Sequence, residues 1–275
     1  MLRASLILFL FLLLTLPLMP LQALFAWLKL PAARYLPCWY HKMVCRLLGI
    51  RVHLSGGPVA PGPMLIVSNH ISWLDIPVLS SIAPLSFVAK QEVSTWPFIS
   101  WLAKLQRSVF IDRTKRTSVA ETRNRIMGRL RAGERVVLFA EGTSSDGNQV
   151  LPFKSPLFAA VEPDEKNGDG YSLQTCAIVY THIHGLPMNR QQRPVIAWYG
   201  DMDMLGHAWG VLKGGPLDVH VRLGEPVSLS SVGDRKKLAA HAYDRVRYDF
   251  SQLLTARTRK SHGAGEARET VKPSG

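Results

Sequence analysis

Ser68-Asn69-His70-Ile71-Ser72-Trp73-Leu74-Asp75-Ile76-Pro77 sets a histidine and an aspartate five positions apart. On a continuous α-helix, five steps of about 100° leave two side chains roughly 140° apart around the axis. On a strand they face opposite sides, some ~16 Å apart. The two meet only if the chain turns between them, with His70 ending a strand and Asp75 in the first turn of a helix. The flanking sequence predicts that turn. Met64 to Val67 is a short apolar run behind the breakers Gly56-Gly57-Pro58 and Pro61-Gly62-Pro63, and predicts a buried strand. Trp73 to Ile82 predicts a helix whose first turn favours an acid and tolerates Pro77.

Working outward, strands are expected at Arg51–Leu54, Leu85–Ala89, Val109–Asp112, Val136–Phe139, Cys176–Thr181 and Asp218–Leu223. Helices are expected at Trp96–Leu105, Ser118–Arg131, a short stretch after Lys154, and Asp234–Leu254. Ser118 with Glu121 reads as a capping box and Gly133 as a helix stop. The last helix places Leu238, Ala242, Val246, Phe250 and Leu254 at four-residue spacing. Strands alternating with helices predict an α/β domain, with a mixed, largely parallel sheet flanked by helices. The chain divides into an N-terminal membrane anchor and interfacial helix (1–48), the α/β domain (49–254) and a disordered basic tail (255–275).

Ala4 to Leu28 holds no charged residue, a run that as a straight helix reaches about 37 Å against a ~30 Å hydrocarbon core. Pro17 and Pro20 divide it, so a spanning helix and a monotopic anchor both stay open. A cleaved signal peptide needs a shorter apolar region and a small-residue cleavage site, so retained attachment is the favoured reading. Arg34 to Leu48 carries Trp39 and Tyr40 among Lys42 and Arg46, as a helix lying in the interface does. Only Arg3 precedes the apolar run, while Lys29, Arg34, Lys42 and Arg46 follow it. If the run spans, the positive-inside rule places the remainder on the cytoplasmic face of the inner membrane. The net charge of +13 fits an anionic membrane surface, and no nucleic-acid-binding module is recognisable. Cys38, Cys45 and Cys176 are odd in number and lack metal spacing, which argues against a disulfide framework.

Two further stretches carry chemistry. Arg107-Ser108-Val109-Phe110-Ile111-Asp112-Arg113 flanks an apolar strand with arginines, the side chains best suited to grip a phosphate or carboxylate. Val136-Val137-Leu138-Phe139-Ala140-Glu141-Gly142-Thr143-Ser144-Ser145-Asp146-Gly147 runs a buried strand into a glycine-rich polar loop, the position that borders the ligand crevice in open α/β folds. His182 and His184 form an H-x-H pair, but no third ligand stands at a telling distance and no metal is expected.

From about Leu47 to Leu223 the chain resembles the lysophosphatidic acid acyltransferase family of H-x4-D glycerolipid acyltransferases. His70 to Asp75 matches the first block, Phe110-Ile111-Asp112-Arg113 the second, and Phe139-Ala140-Glu141-Gly142-Thr143 the F-P-E-G-T block. The resemblance implies transfer of an acyl group from acyl-CoA or acyl carrier protein to the free hydroxyl of a lysolipid, without a cofactor. It further implies that His70 and Asp75 are catalytic and that Arg107, Arg113, Glu141, Gly142 and Thr143 bind substrate. An alcohol is too weak an acid to attack a thioester unaided, and a histidine base suits that need. The departures are Ser144 where the family often has arginine, Ala140 for proline, and Arg107 for the glycine that often opens the second block. The run E-G-T-S-S-D-G-N and the segment Ala197 to Met202 are similar to lyso-ornithine lipid acyltransferases. On the sequence, 1-acylglycerol-3-phosphate leads as acceptor and lyso-ornithine lipid follows closely. A non-catalytic lipid-binding protein of the same fold is the reading from another class.

Overall fold

The computed structural model describes residues 1–112, 116–164, 168 and 170–266. Helix α1 (Leu2–Trp27) and helix α2 (Ala32–Leu48) form an N-terminal hairpin. The domain that follows contains β1 (Ile50–Gly56), β2 (Met64–Ser68), α3 (Asp75–Ile82), β3 (Ser86–Lys90), α4 (Ile99–Leu105), β4 (Val109–Ile111) and α5 (Arg116–Arg131). It continues through β5 (Arg135–Phe139), β6 (Ser172–Ile183), β7 (Leu186–Pro187), α6 (Met204–Lys213), β8 (Leu217–Val227), α7 (Leu229–Val232) and α8 (Arg235–Glu266). The sheet order is β1-β8-β6-β2-β5-β3-β4, with β7 paired to β6. Strands β4, β3, β5, β2 and β6 run parallel, while β8 is antiparallel to β6 and β1 runs with β8.

Alternation along each strand builds a core on both faces of the sheet. Ile66, Val137 and Phe139 enter one core with Leu74, Val78 and Leu79. Leu65, Val67, Val136 and Leu138 enter the other with Ile126 and Leu130 of α5 and Leu238 and Ala242 of α8. A strand buried on both faces reads as continuous apolar sequence, which is what Met64 to Val67 is. Full burial of one such aliphatic side chain contributes about 1.5–3 kcal/mol.

The N-terminal segment shares this core. Ile7 of α1 and Val44, Cys45 and Leu48 of α2 belong to the same cluster as the sheet residues. Pro17 and Pro20 lie inside α1 without dividing it. Both ends of α1 are tied to the rest of the molecule. Arg3 donates to the carbonyls of Leu212, Gly214 and Leu48, and Gln22 Nε2 donates to those of Ala33 (2.9 Å) and Leu105 (3.0 Å). Between them, the hydroxyls of Thr15 and Tyr40 are 2.8 Å apart. The outer face of α1 is apolar and open, with Leu6, Phe9, Leu13, Leu16 and Trp27 exposed.

Three expectations differ from the structure. Helix α5 begins at Arg116, so Ser118 lies inside its first turn and is not its cap. Helix α8 continues past the expected end at Leu254 to Glu266. Ala256, Arg257, Arg259 and Lys260 are good helix formers and no proline interrupts them. Residues 267–275 of the expected tail lie outside the described residues. Helix α6 was not foreseen, because Gly206 and Gly210 dilute its apolar pattern. Asp203 caps it by accepting from Gly206 N at 2.5 Å.

Candidate active site

Strand β2 ends at Ser68 and α3 begins at Asp75, so the turn expected from the sequence is present. Asn69 fixes it. Its side chain accepts from Ile178 N (2.9 Å) and donates to Ile178 O (3.0 Å), standing in for the next backbone pair between β2 and β6. The chain can then leave the sheet without orphaning those buried groups. His70 Nδ1 lies 2.7 Å from Asp75 Oδ2. The same oxygen accepts from Ile71 N (2.7 Å) and Ser72 N (3.0 Å), and Oδ1 accepts from the Tyr180 hydroxyl at 2.9 Å. Asp75 is fully buried. A buried carboxylate is costly unless its lone pairs are satisfied, and four donors converge on this one. Burial and the neighbouring Asp75 carboxylate push the Tyr180 hydroxyl well above the usual phenol range, so it stays a donor.

With Nδ1 directed at Asp75, the His70 ring stacks on Phe139, centroids 4.0 Å apart, and its other nitrogen is free to serve substrate. His70 lines a cavity of about 520 Å³ that also meets Phe139, Ser144 and Trp198, and on the N-terminal hairpin Phe11 and Tyr40. Such a mostly apolar hollow, with His70, His41, Lys90 and Glu92 among its few polar lining groups, suits a long-chain substrate presenting a polar end. Trp198 N donates to Ile71 O at 2.9 Å, and Ser144 Oγ donates to Trp198 O, so this loop covers the histidine–aspartate corner.

Glu141 holds that corner from behind. It is only 2% exposed, and its Oε1 accepts from His70 N at 3.1 Å. Burial pushes its carboxyl up to about 8; the His70 and Leu151 amides oppose that and Asp75 adds to it. Its geometry is that of a positioning residue and not of a substrate contact. Against an ordinary value of 4.5, the raised group is protonated in the fold and ionised in the unfolded chain between about 4.5 and about 8. The unfolded chain then binds fewer protons, so stability falls as pH rises through this window. Glu141→Gln is expected to remove that slope while keeping the acceptor for His70 N; denaturant midpoints across the pH window measure it.

Gly142 has φ +76, a conformation that calls for glycine, and a Cβ there would displace only the mobile end of the Lys154 side chain. Thr143 is exposed on the same loop. The Arg107 side chain does not line this cavity, although Gln106 and Ser108 on either side of it do. It precedes β4 and is ion-paired with Glu134, which precedes β5. In parallel strands, residues before a strand lie at the opposite edge from residues after one, and His70 follows β2. Arg113 lies outside the described residues. His182 Nδ1 is 2.9 Å from Thr181 Oγ1, and His184 turns out of the strand at φ +55. The two do not continue one strand face.

Residues 50–191 match the Acyltransferase family model. The lyso-ornithine lipid O-acyltransferase of Brucella abortus (strain 2308) is 44% identical over 246 residues, 89% of this chain and 92% of that protein. The 1-acyl-sn-glycerol-3-phosphate acyltransferase of Neisseria gonorrhoeae is 38% identical over 101 residues, 37% of this chain and 40% of that one. In three dimensions the chain is similar to the 1-acyl-sn-glycerophosphate (LPA) acyltransferase PlsC from Thermotoga maritima. That likeness has a TM-score of 0.56 at 22% identity, covering 79% of this chain and 78% of the other. The chain belongs to the acyltransferase family, and it is an enzyme that acylates a lysolipid.

Proposed function

We propose that the acceptor is lyso-ornithine lipid, that the donor is the thioester of acyl-CoA or acyl carrier protein, and that His70 is the general base. The acceptor hydroxyl attacks the thioester carbonyl as the outer nitrogen of His70 takes its proton. The tetrahedral adduct then expels the thiolate, to which the imidazolium returns the proton. Asp75 holds the tautomer and faces the charge that forms on the ring. No acyl-enzyme is needed, because the acceptor hydroxyl is itself the nucleophile.

The observation that carries the acceptor is Ser144. Where much of the family has an arginine, this chain has a hydroxyl on the cavity wall that is spent on the Trp198 carbonyl. A phosphate there loses a bidentate partner worth about 1.5–3 kcal/mol per charge-assisted bond. The extent of likeness to the Brucella protein supports the same acceptor, reversing the order expected from sequence. The second reading, 1-acylglycerol-3-phosphate, is favoured by the Neisseria relative and the basic charge. Transfer to the two acceptors at matched concentration separates them: lyso-ornithine lipid is expected to be the better, and Ser144→Arg to move the ratio toward the phosphate by about tenfold. A native preference for the phosphate acceptor would reverse the assignment and leave the chemistry standing.

Attachment by α1 and α2 to the cytoplasmic face of the inner membrane is part of this reading. Arg3 and Gln22 are about 28 Å apart along the helix, and both are bonded to the domain. A spanning α1 would draw the sheet into hydrocarbon, so we read the helix as lying in one leaflet. The flanking-charge rule applies to a run that spans, and the cytoplasmic side rests instead on where acyl-CoA and acyl carrier protein are found.

A further inference from the structure

Helix α6 has no buried residue, although it is capped, ten residues long and close to the active site. Its inner side is committed. Met204 lines the cavity beside His70, and His207 Nδ1 accepts from Trp73 Nε1 at 3.1 Å. At its far end, the Leu212 carbonyl accepts from Arg3 of α1. Its outer side is open, and its apolar side chains stand beside the exposed Asp201 and Asp203 of the preceding turn. Leu205 is 79% exposed, and Tyr199 and Met202 on the preceding turn are exposed as well. Lys213 Nζ stands 6.0 Å from the Trp209 ring centroid, a cation and an indole of the sort that settle at a headgroup boundary.

We propose that α6 and residues 199–205 form a second bilayer contact, separate from the N-terminal hairpin, that seats the rim of the cavity in the leaflet. This rests on the acyltransferase reading. The occupant is a lipid surface. The patch meets the end of α1 where exposed Leu2 and Leu6 stand, so it extends an apolar face too long for a small ligand. The lysolipid then reaches His70 sideways from the leaflet, past Met204, without its chain crossing water.

The full chain, in vesicles of phosphatidylcholine and phosphatidylglycerol, tests this with a nitroxide attached through Leu205→Cys. Cys38, Cys45 and Cys176 are buried, so the label is selective. A second label through Ser231→Cys, on α7 beyond the other end of β8, is the reference. The label at 205 is expected to be open to oxygen and shielded from a water-soluble nickel chelate, while that at 231 stays open to the chelate. Equal chelate access at both positions overturns the proposal. Leu205→Glu is expected to lower turnover of vesicle-borne lysolipid about tenfold, near the transfer free energy of one leucine, and to spare a short-chain soluble acceptor. Equal effects on both acceptors, or on neither, count against the contact. Absence of transfer to any acceptor sinks the enzymatic reading instead, and the nitroxide depth still decides the contact.

Discussion

His70→Ala lowers acyl transfer by about 10²–10⁴-fold, the range that a positioned base supplies, and leaves the fold in place. The fold survives because Asp75 keeps three donors, Ile71 N, Ser72 N and the Tyr180 hydroxyl, once the imidazole is gone. Asp75→Asn is more revealing. The amide oxygen can stay where His70, Ile71 and Ser72 converge, and the Tyr180 hydroxyl can rotate to accept from the new amide. Geometry is retained and only the counter-charge to the imidazolium is lost. A loss approaching that of the alanine variant means that this charge stabilises the transition state; a small loss means that orientation suffices. Single-turnover rates with a thioester donor, beside thermal unfolding of each variant, give the answer. Native turnover by folded His70→Ala removes His70 from the chemistry.

The corner itself was legible because five residues cannot bring two side chains together on any regular element. That reasoning needs only helix and strand geometry, and it placed the turn correctly between Ser68 and Asp75. The four-residue apolar spacing of α8 was equally readable, with Leu238, Ala242, Val246 and Phe250 all buried. The partners of the corner were not. Tyr180 reaches Asp75 across a separation of 105 residues, and no local pattern distinguishes that tyrosine from any strand aromatic. Nor could sequence show that the apolar N-terminus lines the same cavity as the histidine. Arg107 is a different case, since sequence order gives half of the answer. It stands before its strand while His70 stands after one, yet Gln106 and Ser108 line the histidine's cavity, and what takes Arg107 away is its pairing with Glu134.

Removal of residues 1–28 is expected to abolish turnover even when the acceptor is supplied in detergent, where no anchor is needed. Phe11, Thr15, Leu18, Met19 and Gln22 all line the cavity, so the deletion opens it along one side. It also exposes Val44 and Leu48, which are buried in the shared core, and leaves the Tyr40 hydroxyl without Thr15. An acyl chain then sits partly in water, losing about 25 cal/mol for each Å² of apolar surface left uncovered, so ~100 Å² is enough for a hundredfold weaker complex. Most of the protein should also leave the membrane fraction, with some held back by the exposed Tyr35 and Trp39 of α2. The two losses can be separated. If α1 is an anchor alone, the truncated chain works normally on detergent-dispersed lysolipid and fails only on vesicles. If α1 is also a cavity wall, both assays fail, and Phe11→Glu in the full-length chain reproduces the detergent defect while the protein stays membrane-bound.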